Sequence, residues 1–376
     1  MLFRSLPTEQ PSALHPMGMS NAWLLLLLFT AWMLPGLIGH DPWKPDEAYS
    51  FGLIYHILQS GEWVVPTLAG EPFMEKPPLY YLVAALFAKV FSLVLPLHDG
   101  ARLTSGFFMG LTFLFTALGA RELFGKNTGK GWIAAVILLG CLGLLVRTHQ
   151  ILTDVALLSG FAIGLYGLAL CLRRPVAGGI WLGIGTGVGF MSKGLIAPGM
   201  LGIIAVVLPL FQPWRNRNYL LTLLVALGAV MPWLLIWPLA LYLRSPDLFV
   251  EWFWINNFGR FLGLVKIGPT AEPLYYLKIL PWFAWPALPL ALWALWAERI
   301  RGWNQPGIQL PVTAFVVMLS VLMFSADARE VYALPLLLPL SLIAALSVDT
   351  LRRGAANALY WFSVMGFTFF AGVFWF

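Results

Sequence analysis

Long apolar stretches alternate with short polar connections along almost the whole chain. An apolar core from Ala22 to Leu34 comes first, followed by runs at about 103–120, 131–146, 155–172, 177–191, 195–211, 219–243, 274–296, 308–324, 331–348 and 357–376. A helix needs roughly 20 apolar residues to cross a bilayer, so the pattern predicts eleven spans. A twelfth run, Leu79 to Leu97, is apolar enough to cross and has to be placed by charge. The expected fold class is an all-α polytopic membrane protein, read as a single membrane domain over 1–376 with no soluble domain at the C-terminus.

Composition sharpens this. Of 376 residues, 60% are hydrophobic and only 11% charged, which excludes a soluble enzyme and moves any chemistry to loops and helix ends. The net charge of +6 would suggest nucleic acid in a soluble protein. Here it reads as Lys and Arg holding loops in the cytoplasm, and no nucleic-acid partner is expected. Cys141 and Cys171 lie inside apolar runs, so they are packing residues and not a disulfide framework or metal site. No cleavage pattern follows the first apolar core, which is read as a retained span.

Charge then places the ambiguous run. With the N-terminus cytoplasmic and Leu79 to Leu97 kept on the outer surface, the inner connections hold 12 of the 23 Lys and Arg but only 4 of the 17 acids, Arg4 and Arg301 among the former. Letting that run cross would put Arg121 to Lys130 outside. The expectation is therefore an outer loop over 40–97 containing interfacial helices.

Outer connections carry the chemistry. The first of them, His40 to Pro78, is the densest acidic segment and includes Lys44. In Pro45-Asp46-Glu47-Ala48, adjacent carboxylates either supply a general base with a partner or cap a helix start. Glu75-Lys76-Pro77-Pro78 sets a lysine before the apolar helix, to neutralise a phosphate or to anchor the interface. Asp154 opens one span, as an acid or as a cap. Lys193 breaks more than 30 apolar residues, and ionisable groups at such depth usually face a partner or a cavity. Arg260 offers a fork suited to phosphate oxygens, and Arg329 with Tyr332 stands in a second outer hairpin. One topology puts all of these on one face, which suits an enzyme that deprotonates an acceptor and stabilises a departing phosphate.

The same segments resemble a known family. Pro45-Asp46-Glu47-Ala48, Glu75-Lys76-Pro77-Pro78-Leu79-Tyr80-Tyr81 and Ser192-Lys193-Gly194 are similar to motifs of the multi-spanning glycosyltransferases that use polyprenyl-phosphate sugars, the lipid A aminoarabinose transferases and protein O-mannosyltransferases. Ala101-Arg102-Leu103, Leu152-Thr153-Asp154, Asn257 to Phe261 and Arg329 to Pro335 follow in matching order. The resemblance implies a GT-C-like helix bundle with interfacial helices in the first outer loop. It also implies inverting transfer from an undecaprenyl- or dolichyl-type phosphate sugar to a lipid or protein acceptor at the outer, periplasmic face of a bacterial inner membrane. By similarity Asp46 is the leading catalytic carboxylate, with Glu47 beside it and Asp154 as second acid. Lys76 and Arg260 match donor-phosphate positions, and Lys193, Arg329 and Tyr332 match motifs near the donor cavity.

No cofactor is expected to be required. A divalent metal would rest on Glu75, but Asn256 stands where the aminoarabinose transferases tend to have a histidine. Those relatives also continue into further spans and an outer C-terminal domain, whereas this chain ends at Phe376. The rival class is a lipid-linked sugar transporter or flippase, whose signature would be matching broken helices in two halves of the chain; the sequence shows no such pair.

Overall fold

The computed structural model describes residues 19–375 apart from Lys44, 266–271 and 300–301; Arg4, Lys44 and Arg301 lie outside the described residues. It is a bundle of helices with one two-residue hairpin, β1 (Thr67–Leu68) and β2 (Glu71–Pro72). The helices are α1 (Met19–Met33), α2 (Asp46–Ser60), α3 (Leu79–Phe91), α4 (Leu97–Phe124), α5 (Lys130–Leu139), α6 (Thr153–Leu170), α7 (Pro175–Lys193), α8 (Ile196–Val207) and α9 (Arg217–Arg244). The rest are α10 (Pro246–Val250), a π-helical stretch Glu251–Gly259, α11 (Tyr275–Phe283), α12 (Ala287–Ala297), α13 (Pro306–Phe324), α14 (Leu337–Ser347) and α15 (Arg353–Trp375).

The bundle is built around α6. Of its apolar window 94% is buried inside the protein, against 22% for α9, so α6 is the axis and α9 faces lipid. Close approach to α7 comes from glycine. A Cβ on Gly185 would lie 2.4 Å from the backbone nitrogen of Gly164, and one on Gly160 would lie 2.7 Å from that of Gly189. Small residues at helix contacts let backbones touch where lipid offers no hydrophobic drive. The two helices are antiparallel, which brings the start of α6 beside the end of α7.

Helix α4 runs parallel to α6. Ser105 donates to the Gln150 carbonyl at 2.6 Å near one end, and the Phe115 and Tyr166 rings meet at 5.4 Å near the other. The short helix α3 lies antiparallel to the first part of α4, with Tyr80 hydrogen-bonded to Ser105 at 2.7 Å and Gly100 against Ala88. Thirteen residues reach about 20 Å, less than the roughly 30 Å of a hydrocarbon core. Both ends of α3 therefore stay beside the same end of the bundle.

Among the described residues four helices, α4, α6, α9 and α13, are long and apolar enough to cross a membrane, or six spans if each of two bent pairs counts as one. Those pairs depart from the straight spans expected at 131–146 and 274–296. The first bends by 60° between α5 and the turns over Leu142–His149, the second by 95° between α11 and α12. Gly140 ends α5, Pro286 precedes α12, and the two breaks close on each other: Leu142 N–H donates to the Trp285 carbonyl at 3.0 Å, and Gly143 leaves room for the Phe283 ring. Broken helices thus occur in both halves of the chain, which the sequence did not reveal. Cys141 and Cys171 are free and buried in the bundle.

Candidate functional site

At the end of the bundle where α6 begins, six segments of the chain meet in a cleft. Pro45 leads into α2 with Asp46 in its first turn. Pro77 and Pro78 hold Lys76 at the mouth of α3, the start of α6 supplies Asp154, and the last residue of α7 is Lys193. The π-helical stretch ends at Gly259 and presents Arg260, while the segment after α13 brings Arg329 and Tyr332. All seven line one cleft together with Glu75, Tyr49 and Arg147.

The charges in it are mostly matched. Lys193 is hydrogen-bonded to Asp154 and lies 3.9 Å from the centre of the Tyr332 ring. Arg260 donates to Asp327 Oδ2 through Nε at 3.1 Å and Nη2 at 2.9 Å, to the Tyr332 hydroxyl at 3.2 Å and to Glu75 at 3.4 Å. Lys76 donates to the Tyr49 hydroxyl at 2.8 Å. Burial alone would pull the Lys76 ammonium down, but Tyr81, Tyr49 and the Asp154 carboxylate outweigh it and hold its pKa above the ordinary 10.5. Two groups are less engaged. Asp46 has Arg329 as its charged neighbour only at 4.0 Å and keeps 34% of its side chain exposed, and Arg329 Nε is buried without an acceptor among the described residues.

Five cations, Lys76, Arg147, Lys193, Arg260 and Arg329, face three carboxylates in the lining, and Asp327 and Glu330 just behind it pair with Arg260 at 2.9 Å and with Arg147 at 4.0 Å. The free space is about 30 Å³, on the scale of one water molecule. A phosphate-sized ligand would therefore have to part Lys76, Arg260 and Arg329 and take over the hydrogen bonds that Lys76 and Arg260 now give to protein oxygens.

Glu47 is corrected by this geometry, since it does not line the cleft. It is 1% exposed, receives Arg102 Nε at 2.6 Å, and accepts the backbone N–H groups of Trp43 at 2.9 Å and Ile151 at 3.1 Å. Arg102, itself fully buried, also donates to Asp99 at 2.7 Å and to the carbonyls of Leu37 and His40. Glu47 is thus a positioning residue that ties α2 to α4 and to the start of α6. A metal at Glu75 does not fit either. Its carboxylate faces Arg260, Asn256 donates its amide to the Met74 carbonyl at 3.0 Å, and among the described residues no three His, Cys, Asp or Glu side chains converge.

Tyr49 and Asp327 are the contributions that motif reading passed over. Tyr49 was legible, because it stands three residues after Asp46 on α2 and so shares its face. Asp327 gives no such local signal, since only the tertiary fold brings it to Arg260.

The chain is similar to known proteins in sequence and in fold. A sequence model of the family described as dolichyl-phosphate-mannose-protein mannosyltransferase matches residues 75–237. An undecaprenyl phosphate-alpha-4-amino-4-deoxy-L-arabinose arabinosyl transferase of Pseudomonas fluorescens is 30% identical over 367 residues, 91% of this chain and 62% of its own length. That of Serratia proteamaculans is 29% identical over 87% of this chain and 59% of its own. The chain thus spans about three fifths of the length of these relatives. Among solved structures, ArnT from Cupriavidus metallidurans bound to undecaprenyl phosphate superposes with a TM-score of 0.79 at 18% identity, over 95% of this chain and 64% of that one. The archaeal oligosaccharyltransferase AglB from Archaeoglobus fulgidus, in complex with an inhibitory peptide and a dolichol-phosphate, gives 0.53 at 14% identity over 93% and 54%.

Proposed function

We propose, from the chain's similarity to the aminoarabinose transferases and to the protein mannosyltransferase family model, that it is a GT-C glycosyltransferase of that group and moves a sugar from a polyprenyl-phosphate donor to a lipid or protein acceptor. The reaction takes place at the periplasmic face of a bacterial inner membrane, in the sidedness that the distribution of Lys and Arg supports. The observation that carries this reading is the meeting, in one cleft, of an accessible carboxylate with five cations drawn from connections far apart in sequence.

Roles follow from how each group is engaged. A carboxylate held by an ammonium is a poor base, which sets Asp154 aside as the partner of Lys193 and leaves Asp46 to accept a proton. The acceptor hydroxyl gives its proton to Asp46 as its oxygen bonds to the anomeric carbon. The bond from that carbon to the phosphate oxygen breaks with its electrons passing to the phosphate, and the configuration inverts. Lys76, Arg260 and Arg329 meet the second negative charge that appears on the leaving polyprenyl phosphate. Every step uses side chains of this chain.

The rival transporter reading needs a charged path through the midplane. The two broken helix pairs close on each other through Leu142 and Trp285, and of their residues only Arg147 reaches the cleft. The deciding experiment is mass spectrometry of purified protein in lipid with polyprenyl-phosphate sugars and cell-envelope acceptors. Asp46→Asn should lower product release by about 10²–10⁴-fold, the usual weight of a general base, with expression unchanged. Undiminished transfer by that variant would sink the assignment, and donor moved across the bilayer unconsumed would hand the case to the transporter.

A further inference from the structure

A second cavity, of about 260 Å³, lies at the opposite end of α4 and α6. Its wall is formed by Arg121 and Glu122 near the end of α4, Lys126 just after it, Tyr166 near the end of α6, and Arg173 and Arg174 beyond. The 18 residues of α6 separate it from the cleft by about 27 Å, close to the thickness of a hydrocarbon core. The two sites therefore face opposite membrane surfaces.

Its charges are unlike those of the cleft. Among the described residues only Arg173 has an acidic partner, Glu122 at 3.5 Å, while Arg121, Lys126 and Arg174 form no ion pair. Topology alone asks for cations somewhere in the inner loops; it does not ask that four of them converge on an enclosure. Nor does it explain the approach to that enclosure. Leu118 forms the membrane-side wall, and one helical turn before it on the same face of α4 stands Leu114, 49% exposed, followed a further two turns up by Phe107 at 44%. A cationic recess at one membrane surface with an apolar track running from it into the bilayer matches a molecule with a phosphate head and a hydrocarbon tail.

We propose that this cavity binds the headgroup phosphate of an anionic phospholipid, whose acyl chain lies along Leu118, Leu114 and Phe107. Inorganic phosphate shares the charge but not the track, so the two sources can be separated. The test is native mass spectrometry of the full chain in detergent, titrated with phosphatidylglycerol, with phosphatidylethanolamine, and with inorganic phosphate as competitor. Phosphatidylglycerol should be retained in preference to phosphatidylethanolamine, and R121Q/R174Q should bind it about 30-fold more weakly, as expected for the loss of two cations near a lipid phosphate. R121K/R174K should keep most of the binding, and the melting temperatures of both variants in lipid-free detergent should match the wild type, showing that the fold is intact. Equal retention by wild type and R121Q/R174Q would overturn the proposal. Displacement of the lipid by millimolar inorganic phosphate would overturn it as well, leaving a free-anion site.

Discussion

The two ends of α6 carry similar numbers of cations and treat them in opposite ways. At the cleft end, Arg102 is enclosed by Glu47 and Asp99, Lys193 by Asp154, and Arg260 by Asp327 and Glu75. At the far end, Arg121, Lys126 and Arg174 face a cavity without acidic partners among the described residues. Burial explains the contrast. A cation sunk among helices must be paired or its desolvation is unanswered, whereas one at a membrane surface can remain in water or wait for a lipid phosphate. Pairing also holds the cleft side chains where a reaction would need them, at the cost of having to be partly undone when a phosphate enters.

The sharpest way to break this contrast is at the most buried pair. Arg102→Met would leave Glu47 and Asp99 without their partner inside the bundle, and removal of one member of a buried pair costs about 3–5 kcal/mol. We expect a large fall in melting temperature in detergent, with α2 released from α4; an unchanged melt would mean that the cluster is hydrated and not structural. Next in size is the Lys193–Asp154 pair. Lys193→Met should lower transfer by about 10²-fold, in the range of an electrostatic element of a site, and adding Asp154→Asn to it should cost little more. Additive losses in that double-mutant cycle would show that the two side chains act separately.

A smaller effect is expected at Lys76. Its pKa is raised above 10.5, so the folded protein keeps the charge, and the stabilisation from its partners is fully present below pH 10.5 and lost only on titration above it. Transfer should therefore show no alkaline fall from Lys76 below about pH 10. Tyr49→Phe removes one hydrogen bond to the ammonium, worth about tenfold in the donor KM if it is a charged bond of 1.5 kcal/mol, and should leave kcat nearly unchanged. A fall in kcat alone would place Tyr49 in the chemical step.

How much of this was readable beforehand depends on whether a feature is local. Charges in loops announced the cleft, because in a chain with 11% charged residues each one is conspicuous. The division of labour between Asp46 and Glu47 was harder, since neighbours on a helix point about 100° apart. The pattern nevertheless held the answer: Glu47 falls in register with Ser50, Ile54 and Ile57, which are buried, while Asp46 shares its face with Tyr49. The breaks at Gly140 and Pro286 were hidden because apolar residues fill both the helices and the gaps. The glycine contact of α6 with α7 was hidden because hydropathy does not register a missing side chain. Asp327 gains its partner only through the tertiary fold, and no spacing in the sequence brings it forward, whereas Asp99 stands three residues before Arg102 on one helix and was legible by that spacing.

The smallest expected effect is the one that most directly tests the contrast. Arg121 has no acidic partner to abandon, so Arg121→Gln should change stability in lipid-free detergent by no more than about 0.5 kcal/mol, as for a surface substitution outside any network, and leave transfer at the other end unaffected. The same conservative loss of charge at Arg260 would free Asp327 and Glu75 and should be felt in both measurements. If Arg121→Gln proved as damaging as a change at Arg260, the far end would also be held by pairing, and its cations would be part of the scaffold. A silent Arg121→Gln in detergent that becomes destabilising only when phosphatidylglycerol is present for the wild type would instead show that the partner missing from the protein is supplied by the membrane, because a ligand stabilises only the state that binds it.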